Sequence, residues 1–347
     1  MKTSVEFVVP ARKAVRRAGM VLAGNSEAMR QDEAMEILSQ WRALHAHPAN
    51  TLHSYLRGVL KRNKFPGALV AQRLKRTPSI VEKLSRFERM SLDRMQDIGG
   101  LRVIVTTIAD VYRLYDLIVS SKRFKHQLEL PPHDYIRQPK DDGYRSLHQV
   151  IRYKSETHSE LDGLRLEIQI RTQLQHAWAT AVETLGMIQK SSIKTGHGDD
   201  VTRRFLRIVS ALFALQEGCA VPQEFADWDR ARLLDEVRKI EKERNFLVLL
   251  EGVAVSARHI ETVSKSYSGY HVVQLFIDEQ RVRLTAFSEV EDAESFYKAK
   301  ETATRDDPNI AIVLMSAGAL KDIKKAYPNY FLDTKAFLQS IREIAAL

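Results

Sequence analysis

The segment Leu164–Ile170 alternates strictly. Leu164, Leu166, Ile168 and Ile170 fall on one face of a strand, and Arg165, Glu167, Gln169 and Arg171 on the other. A carboxylate flanked by arginines on one polar face suits a metal–phosphate site, the carboxylate taking Mg2+ and the guanidinium groups taking phosphate oxygens. An ordinary solvent-facing strand shows the same alternation. A second carboxylate comes from MQDIGGLRVIV, where Asp97 precedes Gly99 and Gly100 at the entrance to a β-branched run. Two such carboxylates can share one Mg2+, which prefers one or two of them plus substrate phosphate to a full protein cage. Taken alone, Asp97 is more often a turn-former or cap.

The segment RLKRTPSIVEK supplies groups for phosphate. Behind Pro78, Ser79 and Lys83 stand at i and i+4 on one helical face, with Arg73 and Lys75 just upstream. Helix N-terminus, hydroxyl and ammonium groups together make a triphosphate cradle. It is not the Gly-rich P-loop, and no such sequence occurs in the chain. In QPKDDGYRSLH, Gly143 permits a turn, Tyr144 offers a ring for base stacking, and Lys140, Arg145 and His148 add charge or hydrogen bonds. In QHAWATAVE, His176 and Glu183 are polar positions on a helix beside Trp178. Each segment also has a plain structural reading, as a capped surface helix, a turn or core filler.

The totals set the frame. The chain has 347 residues, enough for two compact domains, with 44% hydrophobic and 28% charged residues. No apolar stretch approaches the ~18 residues of a membrane helix, and Pro10, Arg12, Lys13, Arg16 and Arg17 interrupt any signal-peptide core. The single cysteine, Cys219, excludes an internal disulfide and a Cys-rich zinc site; a bacterial-type cytoplasm is the expected compartment. The net charge of +9 is uneven: residues 1–220 hold 35 Lys+Arg against 23 Asp+Glu (+12), the rest 18 against 21 (−3). Residues 51–81 hold seven basic residues and no acid, so Lys61, Arg62 and Lys64 form a candidate phosphate-binding strip, or simply a solvated basic face.

The elements that must position these groups follow from periodicity. Helices are expected at Glu27–His45, after an N-cap at Asp110, at Gln173–Ile188, Val201–Gln216, Asp229–Arg244, Val290–Arg305 and Thr334–Ala346. Strands are expected at Leu101–Thr106, Leu147–Tyr153, Leu164–Ile170, Phe246–Val255, Gly269–Ile277, Gln280–Phe287 and Ala311–Met315, with Lys190–Asp200 a loop. The domain expectation is 1–220, a linker helix at 221–245, and a small α+β domain at 246–347.

The order of the motifs is more specific than any one of them. R-x-K-x-x-x-S-x-x-x-K, D-I-x-G-x-R-V-I-V, P-K-x-x-G-Y-R-S-L-H, E-I-Q-I-R-T and Q-H-A-W-A, over residues 73 to about 185, resemble the RelA/SpoT synthetase family. The resemblance implies a nucleotidyltransferase-like mixed sheet with flanking helices and an ATP-dependent, Mg2+-requiring pyrophosphokinase. It also implies roles. Arg73, Lys75, Ser79 and Lys83 would hold ATP phosphates, with Arg73 and Arg102 around adenine. Asp97 and Glu167 would hold magnesium, Glu167 also being the candidate base. Tyr144 would stack on the acceptor base, with Lys140, Arg145, His148, Gln169, Arg171 and His176 on the acceptor side. Two departures stand out: no H-D pair of the family's hydrolase occurs in the first 72 residues, and Asp141–Asp142 replace a Pro/Asn-type pair.

Residues 246–347 resemble, more weakly, the fused antitoxin-like pseudo-zinc-finger domain of CapRel proteins, which are toxic small alarmone synthetases of phage defence. That region has no cysteine, His259 and His271 as its only histidines, and a Y-x-x-Y pair, Tyr327 and Tyr330. The resemblance implies that these tyrosines occupy the ATP site, that a phage major capsid protein relieves the inhibition, and that the acceptor is the 3′ end of tRNA. The strip at Lys61, Arg62 and Lys64 would then guide the acceptor stem. The rival readings are a (p)ppGpp alarmone synthetase using GDP or GTP, and a catalytically dead nucleic-acid-binding module.

Overall fold

The computed structural model describes residues 7–191, 199–252, 270–276, 281–304, 310–316 and 330–345. By packing, the chain forms two compact units: Met1–Ile136 with Ser146–Gln173, and Arg137–Arg145 with Leu174–Leu347.

The first unit is built on a five-stranded mixed sheet of order β1-β2-β5-β4-β3. The strands are β1 (Leu69–Leu74), β2 (Gly99–Val105), β3 (Gln127–Asp134), β4 (Leu147–Arg152) and β5 (Arg165–Thr172). β2 and β5 run parallel and the other pairs antiparallel. The expected alternation of β5 is realised: Leu166, Ile168 and Ile170 are fully buried while Glu167 and Gln169 remain half-buried. On β2, Leu101, Val103 and Val105 are buried with them. The register between β3 and β4 slips between Glu129 and His133, where Pro131 and Pro132 cannot donate to the ladder.

Helices flank this sheet: α1 (Arg12–Leu22), α2 (Gln31–Leu44), α3 (Ala46–Arg62), α4 (Thr77–Arg86) and α5 (Ile108–Val119). In α3, Leu52, Leu56, Val59 and Leu60 recur at helical spacing, and the helix packs on β1 and β2. Burial of each such leucine contributes about 1.5–3 kcal/mol. α5 buries Val111, Leu114 and Ile118 against β2 and β5. Its N-cap is Thr107, whose hydroxyl accepts from the Asp110 amide at 3.1 Å, and not Asp110 itself. The cap therefore lies three residues earlier than expected.

The second unit is mainly helical. It contains α6 (Gln173–Ser191, from Leu174 onward), α7 (Asp199–Gln216), α8 (Arg230–Arg244), α9 (246–252) and α11 (Tyr330–Ala345). A three-stranded antiparallel sheet of order β7-β6-β8 completes it, from β6 (Tyr270–Phe276), β7 (Arg281–Phe287) and β8 (Ile310–Ser316). The helix α10 (Val290–Ala303) packs on that sheet through Ala293, beside Val272 and Leu314.

Two expectations are corrected here. The run Phe246–Val255 is not a strand where it is described: 246–252 is helical, with Phe246, Leu247 and Leu250 buried at i, i+1 and i+4. A short continuous apolar run fits a buried strand or a buried helix equally well. Nor is α8 an exposed connector. Its Leu233 and Val237 are fully buried and share one core with α6, α7 and the C-terminal α11. By packing, α8 falls in the second unit with α6, α7 and α11. Among the described residues no helix is long and apolar enough to cross a membrane.

Candidate active site

The polar face of the first unit's sheet is assembled by register. Arg73 on β1 faces Gly100 on β2, which pairs with Glu167 on β5; one step along, Ala71, Arg102, Gln169 and His148 form the next row. Arg73 and Arg102 are therefore diagonal neighbours on one face, a relation that places such residues about 7–8 Å apart and leaves room for a planar ring. Arg171 lies one pleat beyond Gln169 on the same face and is 2% exposed.

Asp97 sits just before β2, half-buried, between two lysines. Lys75 Nζ is 3.0 Å from Oδ2 and Lys83 Nζ 2.9 Å from Oδ1. Lys75 is fixed by its backbone, whose amide bonds Ile98 O at 2.7 Å and whose carbonyl accepts from Arg42 Nε at 2.7 Å. Lys83 is delivered by α4, which Pro78 opens and whose Ile80 and Leu84 bury the opposite face. Lys75, Ser79, Lys83 and Asp97 line a cavity of about 330 Å3, with Glu82, Arg86 and Phe87 completing the wall. Gly99 is required next to it: a Cβ there would meet His45 Cβ at 3.0 Å and Leu166 Cδ2 at 3.1 Å.

Glu167 accepts from His148 Nδ1 at 2.9 Å and from Gln169 Nε2 at 2.7 Å. Burial opposes its charge, but the His148 and Gln169 hydrogen bonds and the nearby Lys83 outweigh burial and hold its carboxyl down at about 2. Burial likewise opposes ionisation of Asp97, and the two lysines still hold its pKa below the usual carboxylate range. Both groups are thus committed to negative charge. Tyr135, which the sequence reading passed over, sets its ring edge-on to His148 at 5.2 Å.

Two hard carboxylates that share one lysine's field fit Mg2+ completed by substrate phosphate. Asp97 and Glu167 are the residues that would hold it. Among the described residues no cluster of three or more His, Cys, Asp or Glu offers an all-protein cage.

The remaining acceptor-side residues belong to the second unit. Gly143 adopts φ +89° in a turn closed by its amide on Lys140 O at 2.8 Å. Lys140 Nζ lies 5.2 Å from the centre of the Tyr144 ring. Tyr144, Trp178, Ala179, Val182 and Leu206 line an apolar cavity of about 440 Å3, rimmed by Asp141, Asp142, Glu183, Arg203 and Arg207. Arg145, expected on the acceptor side, is instead buried in an ion pair with Glu217 at 2.6 Å, which Gln175 also joins at 3.2 Å. His176 is 7% exposed on α6.

The basic strip lies elsewhere in the first unit. Lys61 and Arg62 end α3 and Lys64 follows, all exposed, leading into the Leu69 end of β1, which pairs with Ile104. Thr106 Oγ1 bonds Pro66 O at 3.1 Å, which ties this turn to the far end of β2 from Asp97. β2 spans seven residues, Gly99–Val105, so its six steps put about 20 Å between the two ends. Tyr327 lies outside the described residues; Tyr330 opens α11.

Residues 72–188 match the family model described as "Region found in RelA / SpoT proteins". The chain is 34% identical over 122 residues to GTP pyrophosphokinase YjbM of Bacillus subtilis, and 33% identical over 113 residues to YwaC, a GTP pyrophosphokinase of the same bacterium. These alignments cover 35% and 31% of this chain and 56% and 52% of those proteins, so the chain spans about half the length of the curated relatives it matches. Among solved structures, small alarmone synthetase 1 from Bacillus subtilis aligns at a TM-score of 0.44 and 26% identity, over 52% of this chain and 92% of that one.

Proposed function

We propose that the first unit binds ATP and that the chain transfers the β,γ-pyrophosphate to a ribose hydroxyl, with a guanosine nucleotide as acceptor. One observation carries this: Lys75, Lys83 and Ser79 gather around ionised Asp97, with ionised Glu167 on the parallel neighbour of the strand that Asp97 enters. The name GTP pyrophosphokinase, borne by both relatives above, supports the same acceptor class.

The residues divide the work. Arg73 and Arg102 flank the adenine, and Lys75, Ser79 and Lys83 bind the triphosphate. A bound Mg2+ would supply charge neutralisation of the phosphates. The acceptor oxygen forms its bond to the β-phosphorus as the bond from that phosphorus to the AMP oxygen breaks, so AMP leaves. With a carboxyl near 2, Glu167 is suited to hold and orient the acceptor hydroxyl rather than to keep its proton, which passes to solvent.

A second reading takes the tRNA 3′ end as acceptor. The carboxylates of Asp141, Asp142 and Glu183 around the Tyr144 cavity support it. They can accept from a base amino group, and they repel a diphosphate carried on the same nucleoside's ribose. This reading adds inhibition by Tyr327 and Tyr330 and release by a phage major capsid protein, and the anchoring of α11 in the helical core gives that segment a fixed base. Labelled ATP offered with GDP, GTP or tRNA separates the readings. Label appearing on a guanosine nucleotide supports the first, label on tRNA the second, and label on neither sinks both.

A further inference from the structure

A second basic cavity opens on the other side of Lys83. Its volume is about 310 Å3, and Lys83, Arg89, Ser91, Arg94, Gln96 and Arg165 line it. Four cations meet there with no carboxylate in the wall. Asp93, the acid between Ser91 and Arg94 in sequence, is buried and engaged by Arg16 at 3.0 Å. Glu129 binds Arg165 Nε at 2.9 Å while also taking Arg152 Nε at 2.6 Å, so it is already oversubscribed by cations.

Two of the arginines are set in place before any ligand arrives. Arg94 Nε donates to Ser91 Oγ at 2.7 Å and its Nη2 to Arg89 O at 3.1 Å. Arg165 Nη1 donates to Arg94 O at 3.2 Å. Arg89 is exposed and has no carboxylate partner among the described residues. Fixed guanidinium groups with donors to spare match the tetrahedral oxygens of phosphate. Location adds the rest: Arg165 precedes Glu167 by one pleat on the same strand face, and Lys83 belongs to both cavities.

We propose that this cavity is a second phosphate subsite, occupied by a phosphate of the acceptor while the donor's triphosphate fills the cavity at Lys75 and Ser79. The proposal rests on the donor reading above for its division of labour. The phosphate comes either from the diphosphate of a free nucleotide or from the backbone of an RNA end, and Lys83 touches both ligands at once.

The test uses the full chain with the donor cavity saturated by a nonhydrolysable ATP analogue. Inorganic pyrophosphate, GDP and a short RNA with a free 3′-hydroxyl are then titrated by calorimetry into the wild type and into an Arg89→Ala/Arg94→Ala variant. One further equivalent of pyrophosphate should bind, with at least tenfold weaker affinity in the variant, and the analogue's own affinity should stay unchanged, which also reports that the variant is folded. The acceptor that binds should show the same tenfold loss: GDP if the source is a diphosphate, RNA if it is a phosphodiester. The absence of a second pyrophosphate equivalent overturns the proposal, and so does equal affinity in the variant or an acceptor that binds without noticing it. If the analogue itself does not bind, the donor reading fails separately. In that case pyrophosphate is titrated alone: binding lost on removing Arg89 and Arg94 still supports the subsite, and equal binding in the variant overturns it.

Discussion

Arg145 Nη1 lies 2.6 Å from Glu217 Oε2, and the arginine side chain is 2% exposed. Ser210 and Gln175 complete the setting, Ser210 Oγ 3.4 Å from Arg145 Nε and Gln175 Nε2 3.2 Å from the same glutamate oxygen. A charge buried this completely depends on its partner. Glu217→Ala strands the guanidinium in the interior of the second unit and should cost about 3–5 kcal/mol in denaturant unfolding. A loss below 1 kcal/mol would mean that the pair is wetter than its geometry implies.

The turn beside it is equally constrained. Gly143 stands at φ +89°, and a Cβ on it would meet Ser210 Cβ at 3.1 Å, Trp178 Cζ2 at 3.2 Å and the Arg207 Cα at 3.3 Å. Gly143→Ala combines left-handed strain of about 1–3 kcal/mol with that crowding. It should weaken acceptor use through a raised KM, since Tyr144 is the next residue, while ATP affinity in the first unit holds. Steady-state kinetics with ATP and acceptor varied separately reads the difference, and a change confined to the ATP term would contradict it.

At the catalytic face, Glu167→Gln and Asp97→Asn each remove a negative charge from the phosphate centre. Each should lower pyrophosphate transfer on the order of 10²–10³-fold without unfolding the protein. His148→Ala removes the imidazole that bonds Glu167 and should cost less, about 10–100-fold. Turnover of labelled ATP measures all three, and retention of full activity by Glu167→Gln would reject the active-site assignment.

Much of this site was legible in the sequence because its logic is local. The period-2 alternation of β5 announced the polar face carrying Glu167 and Gln169, and a Pro-Ser helix start announced Ser79 and Lys83. What could not be read was proximity. Lys61, Arg62 and Lys64 are dense in sequence, but only the fold shows that β1 sets their turn at the end of β2 away from Asp97. Arg165 is 71 residues from Arg94, and only the fold brings it to Arg89 and Arg94 in one cavity. The ion pair of Arg145 could not be read because its partner, Glu217, is 72 residues away. The segment 246–252 read as a strand because its apolar run is too short to show a period, and α8 as a linker because its charges surround its three buried apolar positions.

Glu241 gives the fold a pH dependence. It is 9% exposed, and its Oε1 accepts from the Leu247 amide at 3.0 Å at the start of α9. Burial raises its pKa to about 7, against hydrogen bonds from the Leu247 and Phe246 amides and the charge of Arg342, which only partly lower it. The folded state therefore binds a proton more tightly than the unfolded chain. Its stabilising effect is full below the unfolded value of about 4.5 and is lost as pH rises through 7, a change on the order of 3 kcal/mol. Glu241→Gln keeps an acceptor for the Leu247 amide and removes the titration. Its unfolding free energy should exceed that of the wild type at pH 8 and match it near pH 4.5; equal pH profiles would refute the assignment.

The C-terminal helix decides how inhibition by this region can be tested at all. Phe337 is fully buried in α11 and meets the Phe213 ring of α7 at 5.8 Å, inclined 66°. Leu338, Ile341 and Ala345 sit in the same core, and Arg238 Nε on α8 donates to Ala345 O at 2.9 Å. Removing 330–347 would uncover the apolar faces of α7 and α8, so a truncated chain should aggregate, and its inactivity would say nothing about inhibition. Phe337→Ala alone should cost about 3–5 kcal/mol. Tyr330→Ala, at the first position of α11, keeps every one of those anchors in the chain, and its melting temperature is measured beside the wild type. If the C-terminal tyrosines hold the enzyme off, that variant turns over labelled ATP faster than the wild type at equal stability. Unchanged turnover at equal stability would remove Tyr330 from any inhibitory role.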